Sequence, residues 1–338
     1  MKRRQFVAST ALSGAVLLPA SQTLLADAGK PLIADHILVN ARIHTMDARQ
    51  PRAEAIALQG NRILALGSTA DLLALKGPGT EISDVEGGVI FPGFIDAHSH
   101  PDGADEVTGA DVNRRSITEI QNAMRVQAGK TAPGEWVVGY KYDDTKLSEE
   151  RPANRLDLDQ AVPLQPAIIR HRGGHTAVVN SRGLELAGIN RDTPDPEGGH
   201  FGRDENGELT GFVAEKALTD VIGQAGKWPE ITRSVRQRGV AHLTGLMSAA
   251  GLTSTTDAAG SVENLVAYQD AHAAGELKVR LSFMPYGPSP LYSNLKAAGL
   301  RTGFGDEWIR LGAVKYWADG SASERTMRMS TPFAGKPD

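Results

Sequence analysis

The sequence contains no cysteine among its 338 residues. That excludes disulfides, thiolate nucleophiles and every Cys-based zinc or iron–sulfur site, so any metal must be held by histidine, carboxylate or a less usual donor. Aromatic residues make up only 5% of the chain, too few to advertise a platform for stacked bases. There is no surplus of basic charge either: 36 Lys and Arg against 40 Asp and Glu leave a formal net charge of −4. A nucleic-acid partner would require a basic footprint, and none is present. No His-Glu-x-x-His, Walker loop or Gly-x-Gly-x-x-Gly occurs, which argues against other zinc hydrolases, NTPases and dinucleotide enzymes. The apolar run from Phe6 to Leu18 is broken by Ser9, Thr10, Ser13 and Gly14. It is too short for a membrane span, so no stable membrane anchor is expected.

What is present is ordinary globular composition, 41% hydrophobic and 22% charged with 37 Gly and 18 Pro. The length accommodates one large domain and a small one. Lys2-Arg3-Arg4 precedes the apolar run, and Ala26-Asp27-Ala28 offers a small-x-small cleavage site. Together they read as a signal peptide over residues 1–28. Arg3-Arg4-Gln5-Phe6-Val7 resembles the twin-arginine signal, so export of the folded protein by the twin-arginine machinery, to the periplasm or beyond, is expected.

Residues 29–91 pattern as a small β unit. His36–Ile43 reads as one strand, and Ala55–Leu58 and Arg62–Leu66 flank Gln59-Gly60-Asn61 as a hairpin. Ser68 opens a short helix. From residue 92 the texture becomes α/β. Candidate strands are Phe94–Ala97, Ala167–Arg170, Leu252–Thr256, Val279–Phe283 and Ile309–Val314, with helices at Ile117–Ala128 and Ile231–Ala249. Strands alternating with helices imply a parallel sheet. The stretch from about 102 to 235 is too long for one crossover and reads as an insertion, with a hairpin-like piece at 199–212.

The chemistry gathers at strand ends. In His98-Ser99-His100 a period of two sends both imidazoles to one face. Their Cα atoms are then roughly 6.5–7 Å apart, close enough for both rings to reach one ion at about 2.0–2.1 Å. Asp96 lies one step back on that face, as ligand, supporting partner or strand-end hydrogen bonder. His175 lies in a Gly-flanked turn with His171 four residues before it. It reads either as a pocket residue or as a loop histidine held by a backbone carbonyl. Asn180-Ser181 suits a helix cap. Asp257 suits either a pocket wall or the cap of the following helix. Lys315 ends an apolar strand, where a plain buried ammonium is costly unless it pairs with Asp319 or reaches solvent. Alternation sets Tyr316 and Trp317 opposite Lys315, toward core packing. His36, His44, His242 and His272 have no convergent partners and are expected to be structural or exposed.

Val89-Ile90-Phe91-Pro92-Gly93-Phe94-Ile95-Asp96-Ala97-His98-Ser99-His100 resembles the first-strand motif of the amidohydrolase superfamily. Three further stretches resemble its YtcJ-like branch, the amidohydrolase 3 group. They are His171–Ser181, Asp204–Thr210 and Val314–Ser321. The resemblance implies a (β/α)8 TIM barrel with a small N-terminal β-sandwich domain. It also implies one or two divalent metals, usually zinc, that activate water for attack on a small-molecule amide-type substrate. His98, His100 and Lys315 fall on the family's metal positions, and in many members the matching lysine carries a carbamate that bridges two ions. Lys315 and His175 are the catalytic candidates by the same resemblance. A lactonase or esterase on the same barrel, or a non-catalytic metal- or ligand-binding remnant, is the competing reading. The family pattern expects two more histidines on successive strands after Lys315 and then an aspartate on the last strand; no histidine follows Lys315, no such last strand can be found, and five candidate barrel strands stand where eight are needed. On that count a truncated barrel with little catalysis of its own is expected. Substrate identity and oligomeric state have no handle in the sequence.

Overall fold

The computed structural model describes residues 32–333; the signal-peptide reading of residues 1–28 lies outside them. Two compact units divide between Pro92 and Gly93.

The first unit is a small β sandwich. Its strands are β1 Ala34–Val39, β2 Arg42–His44, β3 Arg52–Ala53, β4 Ala55–Gln59, β5 Arg62–Gly67, β6 Lys76–Asp84 and β7 Val89–Ile90, with helix α1 at Thr69–Leu73. One sheet runs β5-β4-β1-β6 and the other β3-β2-β7. Alternation assigns two cores. Ile37, Val39, Ala55 and Ala57 pack under Leu72 of α1, while Leu38, Ile56 and Leu58 meet Ile43, Ala53 and Ile90 between the sheets. The expected single strand His36–Ile43 is in fact two. Asn40 takes a left-handed conformation (φ 54°), and the break lets β1 and β2 join different sheets. The hairpin at Gln59-Gly60-Asn61 forms, with Gln59 opposite Arg62.

In the second unit, β8 Phe94–Ser99 is followed by α2 Ala104–Thr108, β9 Ala110–Asp111, α3 Ile117–Ala128, β10 Val137–Tyr142, α4 Arg155–Ala161, β11 Ala167–His171, β12 Thr176–Val179, α5 Ser181–Leu186, β13 Gly199–Arg203 and β14 Leu209–Glu215. Strands β9 to β14 form their own six-stranded sheet in the order β13-β14-β12-β11-β10-β9. Both faces are buried. Val137, Ala167, Ile169 and Val178 join the core that holds Ile120, Met124 and Leu158, and Val138, Ile168, Ala177 and Val179 join the one around Trp136 and Phe201. This two-sided burial explains the unbroken apolar runs. It also corrects one strand assignment. Ala167–Arg170 pairs with β10 and β12, not with the strand that carries His98. A run buried on both faces looks the same in either sheet, and only its partners distinguish them.

The chain then returns through α6 Arg233–Ala249, β15 Leu252–Gly260, α7 Val262–Ala273, β16 Arg280–Pro285, α8 Pro290–Ala297 and β17 Ile309–Leu311. Together with β8 these strands make a parallel sheet, β17-β16-β15-β8. Val240 of α6, Tyr268 and Ala271 of α7 and Leu291 of α8 pack with Leu281, Phe283 and Leu311. Four parallel strands in βα repeats are the architecture of part of a TIM barrel, and among the described residues there are four barrel strands rather than the five expected. Among the described residues β8 has a neighbour on one side only, and its Phe94 and Ile95 are 67% and 73% exposed.

Candidate functional site

The C-terminal ends of these parallel strands bring together residues far apart in sequence. His98 lies one residue before the end of β8, with its backbone N–H donating to Asp96 Oδ1 at 3.0 Å, and His100 follows the strand. The two imidazoles meet edge to face, with centroids 5.8 Å apart. Between them Ser99 points the other way and ties the motif to β15: its hydroxyl lies 2.6 Å from Thr255 Oγ1 and donates to the Thr256 carbonyl at 3.1 Å. Beyond His100, Asp102 accepts from Asn264 Nδ2 at 3.0 Å. Gly103, at φ 59°, lies so close to α6 that an added Cβ would come within 2.2 Å of the Gly239 carbonyl oxygen. Only glycine fits there. The motif is thus anchored on both flanks.

Lys315 arrives from the opposite edge of the sheet. Past Leu311 the chain keeps pairing with β16, since Lys315 N–H donates to the Pro285 carbonyl at 3.0 Å and its own carbonyl accepts from Gly287 N at 2.8 Å. The side chain places Nζ 3.4 Å from His98 Nε2. The alternative pairing of Lys315 with Asp319 is not formed; Asp319 accepts from the Arg328 backbone instead. Partial burial first, then the Lys315 ammonium and the neighbouring His100, hold the His98 imidazole below its ordinary value despite Asp96. A neutral imidazole is the form that ligates a metal.

Asp257 is the residue the sequence left undecided. It lies within β15 in register with Ser99, is 3% exposed, and its Oδ1 faces His100 Nδ1 at 3.7 Å. Its Oδ2 accepts from the buried Tyr268 hydroxyl at 2.9 Å. Burial, then the adjacent Asp257 charge, pushes that hydroxyl well above its usual value, so it stays a donor. The helix-cap reading of Asp257 is overturned, because Ser261 caps α7 by a reciprocal pair with Asn264.

Tyr316 and Trp317 are not core residues. They are 61% and 50% exposed, since regular alternation stops at Leu311. Tyr316 lies over Gly287 and Trp317 against the Tyr286 ring at 4.4 Å, an aromatic rim beside Lys315. The other histidines are structural or exposed as expected. His36 bonds Ser83, His44 stacks on Phe91, and His272 stacks on Trp308. Asn180 caps α5 by accepting from Gly183 N.

His175 is not joined to His98, His100 or Lys315 by any hydrogen bond or ion pair among the described residues. Its Nδ1 lies 3.0 Å from Glu215, and its backbone N–H donates to Glu324 at 3.0 Å. Glu324, which nothing in the sequence marked, is buried. It also accepts from Thr176 N at 2.8 Å and Thr176 Oγ1 at 2.9 Å, and lies 3.1 Å from His171 Nδ1. The segment beyond Lys315 is thereby fastened to the turn that carries His175.

Asp143, Asp144 and His171 also bring one ligand atom each within 4.8 Å of one another. These groups are already partnered within the protein. Asp143 is committed to Arg172 at 2.9 Å and Lys146 at 3.3 Å. Burial disfavours a charge on His171, but Asp144 and Glu324 outweigh it and raise its pKa to about 9. The pair at His98 and His100 fits a metal better: two imidazoles, one held neutral, with a carboxylate and an amine converging on them.

The chain is similar to several known proteins. Bacillus subtilis YtcJ is 28% identical over 308 residues, covering 87% of this chain and 56% of that one. The N-substituted formamide deformylase of Arthrobacter pascens is 31% identical over 254 residues, covering 73% of this chain and 46% of that one. The chain spans about half the length of these curated relatives. Among solved structures, an uncharacterized metal-dependent hydrolase of Pyrococcus horikoshii superposes with a TM-score of 0.62 at 22% identity, over 89% of this chain and 58% of that one. The family model described as the amidohydrolase family matches residues 81–338. With that match spanning well over half its length, the chain belongs to the amidohydrolase family.

Proposed function

We propose that this chain supplies the metal-holding strands of an exported hydrolase that cleaves a non-peptide carbon–nitrogen bond, adding water across a small amide to give an acid and an amine. One observation carries the reading: His98 Nε2 and Lys315 Nζ lie 3.4 Å apart across 217 residues of sequence, at the strand ends where barrel enzymes keep their chemistry. His98, His100 and Lys315 would hold the divalent ion, with zinc first among candidates for a nitrogen-rich set and a carbamate on Lys315 supplying anionic oxygens. A bound ion of this kind lowers the pKa of water and polarises a carbonyl. The protein's own part is to keep His98 neutral, to fix the histidine pair through Ser99 and Asp102, and to bring His175, its ring set by Glu215, to the substrate. The formamide deformylase supports an amide-type substrate. Arg3-Arg4 and the apolar run after it support twin-arginine export to the periplasm.

The test is zinc retention on a desalting column, together with hydrolysis of N-formyl amides, for wild type, His98→Asn and His100→Asn. The reading expects both variants to lose zinc at least tenfold more readily than wild type. Equal retention in all three proteins would refute it. Export is tested by fusing residues 1–28 to a reporter in cells with and without the twin-arginine translocase. Delivery that is unchanged without the translocase would refute that part.

A further inference from the structure

His100 is half of the metal-holding pair, but a histidine ligand works only if its ring is turned the right way and its proton sits on the other nitrogen. The structure contains a device suited to that task. We infer that Asp257 is the positioning residue for His100: its carboxylate accepts a hydrogen bond from the ring's Nδ1–H, leaving the Nε2 lone pair for the ion, while Tyr268 locks the carboxylate in place. This deepens the proposed function and rests on the reading that His98 and His100 hold a metal.

Asp257 Oδ1 stands 3.7 Å from His100 Nδ1, a few tenths of an ångström beyond a hydrogen bond. Such contacts tighten when the site is occupied. The carboxylate cannot easily turn elsewhere. Oδ2 already accepts from Tyr268 Oη at 2.9 Å, Tyr268 is fully buried, and an added Cβ on Gly260 would come within 2.6 Å of that same oxygen. The asymmetry of exposure fits the division of labour, because the His100 side chain is 60% exposed and that of Asp257 only 4%. A ligand must meet the ion at the surface of the site; its orienting partner belongs beneath. A buried aspartate kept only for the fold would not need its second oxygen turned toward an exposed imidazole.

Three proteins test this: wild type, Asp257→Asn and Tyr268→Phe. Zinc affinity is measured by competition with a chromophoric chelator, and the His100 tautomer by 15N NMR without metal at pH 8. Wild type is expected to carry the Nδ1–H tautomer. Asp257→Asn is expected to bind zinc about 10–100-fold more weakly, and Tyr268→Phe to lie between them. Unchanged affinity in Asp257→Asn, in a protein whose zinc is lost on His100→Asn, would overturn the inference while leaving the metal reading intact. Zinc held equally by wild type and His100→Asn would overturn both. An Nε2–H tautomer in wild type would overturn the inference even if neither variant folds.

Discussion

Glu324 lies 3.1 Å from His171, and the two side chains are 1% and 6% exposed. The pair joins the segment after Lys315 to the turn that carries His175, and the same carboxylate accepts two backbone N–H groups and the Thr176 hydroxyl. Glu324→Gln keeps the shape and removes the charge, leaving a buried donor imperfectly met. It is expected to cost about 1–3 kcal/mol. Urea denaturation measures this, and a loss under about 0.5 kcal/mol, the scatter of ordinary surface changes, would contradict the pairing.

The same contact makes stability depend on pH in a defined sense. His171 is raised from 6.5 to about 9, with burial opposing and Asp144 and Glu324 prevailing. A raised histidine contributes fully below its unfolded value and loses that contribution as pH rises through its folded one. Glu324 is lowered from 4.5; burial works against this, and the His171 and Thr176 contacts outweigh it. Its contribution is complete above 4.5 and lost as pH falls through its folded value. The pair therefore stabilises most between about 4.5 and 6.5. Melting temperatures of wild type and a His171→Gln variant should differ most in that window and converge toward pH 10. A difference that grows above pH 8 would contradict the assignment.

What the sequence made legible follows from periodicity and what it hid follows from partners. His98 and His100 could be placed on one face by a count of two, and Lys315 at a strand end by the apolar run before it. Asp257 could not be decided, because a carboxylate after Thr256 looks the same whether it caps a helix or faces a histidine. Only the register of β15 against β8 separates these. Ala167–Arg170 reads as a strand of the parallel sheet for the same reason, although it pairs with β10 and β12. Glu324 gave no signal at all, since its donors lie about 150 residues earlier in the chain.

Ser99 offers a test of how the motif is anchored. Its hydroxyl spans from β8 to Thr255 and the Thr256 carbonyl, so Ser99→Ala removes a tether while leaving both imidazoles in place. A loss of about 1 kcal/mol in stability is expected, together with a several-fold drop in zinc affinity as the rings gain freedom. Calorimetric unfolding and chelator competition check the two parts. Unchanged zinc affinity despite lost stability would make Ser99 a purely structural bond.

Lys315 bears the most specific chemistry of the proposed site. Its Nζ lies 3.4 Å from His98 Nε2, where an ammonium would repel the cation that the histidines are proposed to hold. Conversion to a carbamate reverses the sign of that charge and supplies oxygen ligands. Zinc occupancy of wild type should therefore rise about tenfold on adding bicarbonate, whereas Lys315→Arg, which keeps the positive charge, and Lys315→Ala should not respond. Lys315→Ala should in turn bind zinc better than Lys315→Arg, since it removes the repulsion without restoring a ligand. Occupancy measured by metal analysis across the three proteins, with and without bicarbonate, separates the roles. No bicarbonate response in wild type would remove the carbamate from the reading, and identical occupancy in all three proteins would remove Lys315 from the site.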